Sequence, residues 1–176
     1  MNITIRSTTA ALAAALLAAP GGALADEGEG KDQALAHAMK DAKVPLERGV
    51  SAAAVHEGVP ISAKYEMDEG KLQLSVYTMK GDQFSEVIVD NGTGSVTKAE
   101  PITSGEDLAA AKQQKEAMGK AKRTLQDATA SATKQNPGYR AVSATPRLDG
   151  GRPVATVMLL KGDDWKTVTV KLDGAK

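Results

Sequence analysis

Few side chains in this chain could carry out chemistry. It has no cysteine and two histidines, His37 and His56, so nothing offers thiol chemistry and imidazole is scarce. Both histidines sit in Ala-rich stretches of helical character, and neither has a His, Asp or Glu at the spacing of a known ligand pattern. Ser51 or Ser85 could be paired with His56 as nucleophile and base, yet no local signature surrounds either serine. The run Asp90-Asn91-Gly92-Thr93-Gly94 offers closely spaced oxygens, but it lacks the acidic third and fifth residues and the late Glu of an EF-hand-type calcium loop. It reads instead as a tight turn, in which Asn-Gly supplies positive backbone dihedrals. Asp163-Asp164 has Asp82-Gln83 as its counterpart, so only one acid recurs, and turn polarity is the simpler reading. Glu66, Asp68 and Glu69 flank Gly70 and read as a solvated turn. These patterns point away from an enzyme and from a bound cofactor or metal.

The elements that hold these residues start after a leader. Arg6, an apolar Ala/Leu run over residues 10–19, Pro20-Gly21-Gly22 and Ala23-Leu24-Ala25 form the pattern of a secretory signal peptide over residues 1–25. The expected location is therefore the periplasm, or outside the cell. No later apolar run is long enough to anchor the mature chain in a membrane. Basic and acidic residues balance at 22 each, which does not favour nucleic acid as a partner. Residues 26–31 read as a flexible polar tail.

Helical character runs from Asp32 to Asp41, and a second helix is expected from Pro45 to Glu57, stopping at Gly58. From Ile61 the period changes to two, with turns at Asp68-Glu69-Gly70, Gly81-Asp82 and Asp90 to Gly94, and a short last strand over Ser95–Lys98. Residues 32–102 thus form one α+β unit. Thr103 and Glu106 suggest a capping box that opens a long helix reaching Gln135, with Met118, Ala121, Leu125, Ala128 and Ala132 as its apolar stripe. Gly119 is where this helix would bend or break. Three strands follow: Tyr139 to Thr145, Arg152 or Pro153 to Leu160, and Trp165 to Leu172.

The chain repeats itself. Leu46 corresponds to Leu125, 79 residues on, and Lys80 to Lys161, 81 residues on. The difference is assigned to the turn between the first two strands, where the second half has Arg147 to Gly151. Residues 103–176 are then a second copy of the unit.

Pro45 to Ala53, Gly58, the strand Lys71–Tyr77 and the run Val89-Asp90-Asn91-Gly92-Thr93-Gly94-Ser95-Val96 resemble the PepSY domain. The second half resembles it through Thr124 to Ala128, Asn136-Pro137-Gly138 and Val168-Thr169-Val170, but ends without the Thr-Gly and the strand after it. The resemblance implies two repeats, each a helix packed across a small antiparallel sheet, with the second short by one strand. It also implies a non-catalytic protein-binding module of the cell envelope, whose partner is another exported protein and could be a peptidase that it restrains. A small-ligand or metal-binding envelope protein of the same fold is the alternative.

The recurring Lys80-Gly81-Asp82-Gln83-Phe84 and Lys161-Gly162-Asp163-Asp164-Trp165 fix the hairpins. With a two-residue Gly-Asp loop, Val76 meets Val87 and Leu74 meets Val89, while Val157 meets Val168 and Ala155 meets Val170. That face is the expected core. Met79 opposite Phe84 and Leu160 opposite Trp165 fall on the other face with Tyr77 and Met158. Three readings stand for these six residues: ordinary surface variation, packing between the halves, or a surface for a partner.

Overall fold

The computed structural model describes residues 25–174, so the expected leader lies outside the described residues except for Ala25. Four helices and seven strands follow in order: α1 (Ala25–Ala38), α2 (Leu46–Glu57), β1 (Val59–Asp68), β2 (Lys71–Lys80), β3 (Gln83–Val89), β4 (Val96–Pro101), α3 (Gly105–Gly119), α4 (Leu125–Gln135), β5 (Arg140–Asp149), β6 (Arg152–Lys161) and β7 (Asp164–Lys171). The chain is α+β. All seven strands form one antiparallel sheet in the order β4-β3-β2-β1-β5-β6-β7. Each half contributes a meander, and the first strands of the two meanders, β1 and β5, adjoin at the centre.

The hairpins have the expected register. Val76 faces Val87, Leu74 faces Val89 and Met79 faces Phe84; Val157 faces Val168, Ala155 faces Val170 and Leu160 faces Trp165. Gly81 (φ 65°) and Gly162 (φ 63°) supply the left-handed backbone that each two-residue loop requires. Leu46, Val50 and Ala53 of α2 and Leu125, Ala128 and Ala132 of α4 pack with Leu74, Val76, Val87, Ala155 and Val157 in one cluster. Gly49 lets α2 approach β2 closely, because a Cβ there would lie 2.4 Å from Leu74 Cδ2. Gly58 (φ 102°) ends α2 where the sequence placed its stop.

Four expectations change. Residues 26–31, read as a tail, lie within α1. The single long helix is two, because α3 ends at Gly119 and α4 begins at Leu125, so the stripe from Met118 to Ala132 spans a break. No side-chain cap forms at α3, whose N-cap is Ser104; the capping box belongs to α4, where Thr124 Oγ1 accepts from the Asp127 N–H at 3.1 Å. Finally, β1 and β5 are both ten residues long, and each reaches its hairpin partner through two residues, Glu69-Gly70 or Gly150-Gly151. The length difference between the halves therefore lies between helix and strand: Gly58 alone follows α2, whereas residues 136–139 follow α4.

Candidate functional site

The six residues expected on the outer face do not form a free surface. Phe84 and Tyr77 are 4% and 6% exposed and pack with Ile61 and Ala111, with Met79, Leu108 and Met118 beside them. Leu160 is buried in the main cluster, and Met158 and Trp165 are half-buried. For Tyr77 and Phe84 the cause is the break after Gly119, which lets α3 lie over the sheet as a separate helix; Leu160 and Trp165 instead join the main cluster, not the face away from it. Ala111 and Gln114 of α3 are buried there, and Ser62 Oγ donates to Gln114 Oε1 at 2.8 Å. For Tyr77 and Phe84 the packing reading is the one realised.

The other polar candidates are not brought together for catalysis. His37 and His56 are exposed on α1 and α2. The Ser51 hydroxyl donates to the Glu47 carbonyl at 2.9 Å, a bond within its own helix. Asp90 Oδ1 accepts from the N–H of Gly92 and from the N–H and hydroxyl of Thr93, at 3.2, 2.6 and 2.7 Å, so this carboxylate holds its own turn together. The Thr93 hydroxyl and N–H keep Asp90 below the usual carboxylate range. Glu66 pairs with Lys64 at 2.6 Å and accepts from the Ser75 hydroxyl at 2.8 Å. Asp163 faces Lys40 at 3.7 Å, and Asp164 accepts from the Tyr139 hydroxyl. No group of three or more His, Asp or Glu is placed to hold a metal ion among the described residues.

Among the described residues three features of binding type stand out, a sheet edge and two grooves that match each other. The first is a sheet edge. Val87 and Val89 are fully buried because Ala99 and Val96 of β4 lie opposite them, and the Phe84 carbonyl accepts from the Ile102 N–H at 2.8 Å. Their counterparts Val168, Val170 and Trp165 stand on β7, the last strand of the sheet. In a two-residue hairpin the backbone groups of Asp164, Lys166, Val168 and Val170 turn toward β6. Those of Trp165, Thr167 and Thr169 therefore turn to the edge that no strand of the described residues covers, and Val168 and Val170 are only half-buried.

The other two features are matching grooves at the helix connectors. One, of about 380 Å³, is lined by Ala42, Lys43, Pro45, Leu46, Glu47, Thr133, Tyr139, Arg140 and Ala141. The other, of about 320 Å³, is lined by residues that include Ala54, Val59, Pro60, Ala121, Lys122, Thr124, Leu125 and Gln126, the counterparts of most of these. In the first, Arg140 donates to the carbonyls of Met39 (2.9 Å), Ala42 (2.9 Å) and Val44 (3.4 Å), and the Tyr65 hydroxyl also donates to Val44, at 2.5 Å. Burial raises the Tyr65 hydroxyl to about 12, which keeps it a donor across the physiological range. In the second groove, Val59 stands in the place of Arg140 and is 52% exposed, and Pro146 stands in the place of Tyr65. The sequence reading missed both grooves, since each is assembled from two segments far apart in the chain, residues 42–47 with 133–141 and residues 50–60 with 118–126. The signal that could have found them was the aligned pair Val59 and Arg140. No family model matches the chain, and searches of curated proteins and of solved structures find no match either.

Proposed function

We propose that this chain is a non-catalytic, exported binding module made of two PepSY-like copies, and that it takes an extended segment of another envelope protein as an eighth strand along β7. A peptidase held in check is the partner class that the resemblance suggests. Details outside the sequence motifs support the duplication. Both first strands carry an irregularity at the same place, between Pro60 and Ser62 and between Ala141 and Ser143. Both connectors are pinned alike, Lys43 and Val44 N–H to the Asn91 carbonyl, and Lys122 and Arg123 N–H to the Leu172 carbonyl. The observation that carries the binding reading is the edge. A unit closed by β4 in one half is open in the other, with two half-buried valines and three residues whose backbone groups face outward.

The test uses the strand that closes the first half. A fluorescent peptide of sequence Gly94–Pro101 is titrated against the chain and against Thr167→Pro, which removes an outward N–H and leaves the bonds to β6 intact. Saturable binding lost in the variant is the expected result. Equal binding by both proteins, or none by the wild type, would overturn strand addition at β7.

A further inference from the structure

From the pair of grooves we infer a second contact, independent of the sheet edge: the groove beside Val59 accepts an arginine side chain of a partner protein. Arg140 is the template. Its guanidinium crosses from the start of β5 to three carbonyls at the end of α1 and in the connector after it, those of Met39, Ala42 and Val44. The matching carbonyls of the other half belong to Met118, Ala121 and Arg123, at the end of α3 and in the connector after it. Met118 O accepts from the Ala121 N–H at 3.1 Å, as Met39 O does from the Ala42 N–H at 3.3 Å. The Ala121 and Arg123 carbonyls accept no hydrogen bond among the described residues, while their counterparts are bound by Arg140 and, at Val44, by Tyr65 as well.

A guanidinium suits this place on three counts. The last turn of α3 contains no basic residue, so the negative end of the helix dipole is not compensated from within its own helix. The walls beside the carbonyls are Val50, Ala54, Val59 and Leu125, apolar surface against which three methylenes can lie. The planar fork of arginine can reach several carbonyls at once, as Arg140 does, where a lysine ammonium is a point charge. Lys122 on the rim does not bar it, because its counterpart Lys43 already borders the groove that contains Arg140. Gln126 replaces Glu47, so a side-chain carbonyl remains as an acceptor but the carboxylate charge is lost. Arg123 directs its own guanidinium to the carbonyls of Lys171 and Asp127.

Methyl NMR of the purified chain tests this, reading Val50 and Leu125 during titration with N-acetylarginine methylamide, its norleucine analogue and octanoate. Saturable shifts with the arginine compound alone are expected, at millimolar concentration for a single side chain. Val59→Arg should abolish them, since it supplies the guanidinium from within as Arg140 does. Gln126→Lys, at an exposed position, should weaken arginine binding at least about tenfold by like-charge repulsion, which corresponds to about 1.4 kcal/mol. Equal shifts with norleucine would reduce the site to apolar surface, and shifts with octanoate alone would make it an anion site. Either result, the absence of any saturable shift, or arginine binding that survives Val59→Arg, would overturn the inference.

Discussion

Val87 and Val168 hold matching places in the second hairpin of each half, each opposite a valine of the preceding strand, yet one is fully buried and the other half-exposed. The pairing behind them is identical, so the difference comes from what lies in front. β4 covers the first, and the sheet ends at the second. Burial in this fold is thus set by the number of strands as much as by the hydrophobicity of the residue. The sharpest way to break the comparison is to truncate both side chains. Val87→Ala removes two buried methyl groups and leaves a cavity between α2 and the sheet, and should cost about 2–3 kcal/mol in denaturant unfolding. Val168→Ala should cost less than half as much, because water already reaches that site. Equal losses would mean that the β7 edge is covered in solution, for example by another copy of the chain.

The grooves carry the comparison from strands to connectors. Arg140 links the start of the second half's sheet to the end of α1 by three carbonyl contacts that span about a hundred residues of chain, and Val59 makes no such link. Arg140→Met keeps most of the apolar stem and removes the charged donor, so it isolates the hydrogen bonds. A loss of about 2 kcal/mol is expected, in the range for bonds that involve a charged group, reduced because Met39 and Val44 keep other donors. Hydrogen exchange would show where the loss falls. The end of α1 should open first, with α3 unchanged.

Much of this was legible in the sequence. Periodicity two and the Gly-Asp turns specify both hairpin registers, because a two-residue loop leaves no freedom in which residues face each other. The three strands that the described second half supplies were legible too, in the alternating runs between Tyr139 and Leu172. What could not be read was the fate of Phe84 and Tyr77. Their exposure depends on whether α3 and α4 form one helix or two, and Gly119 alone, with a cost near 1 kcal/mol, does not decide that. The capping box was misplaced for a related reason. Thr103-Glu106 and Thr124-Asp127 both have usable spacing, and the second prevails where the connector, pinned to Leu172, brings the chain into the start of α4. The grooves were harder to read because most of their chemistry resides in backbone carbonyls, and only the aligned pair Val59 and Arg140 marked their place in the sequence.

The smallest expected effect concerns the outer face, where the halves differ in charge. Glu86 of β3 has Thr167 as its counterpart on β7. In the first half Glu86 is half-buried, and its carboxylate accepts from the Tyr77 hydroxyl at 3.2 Å. Loss of hydration raises the Glu86 carboxyl above its usual range, Glu66 nearby raises it further, and the Tyr77 hydroxyl and the charge of Lys64 offset part of the shift. The Tyr77 hydroxyl is itself pushed far up, first by burial and then by the charge of Glu86, so it stays protonated and serves as the donor. With its carboxyl raised on folding, Glu86 binds more protons in the native state than in the unfolded one. Its contribution therefore favours the fold at low pH and declines as pH rises from the unfolded carboxyl value through the raised native one. Glu86→Gln removes that decline. Unfolding of the wild type and the variant across the acid range should converge at low pH and separate toward neutrality, with the variant the more stable at pH 7. The opposite order at neutrality would mean that the charge of Glu86 is paired in solution, most simply by Lys64, which lies 5.6 Å from the centre of the Tyr77 ring. In that case the contrast with Thr167 would be one of added stabilisation in the first half rather than tolerated cost.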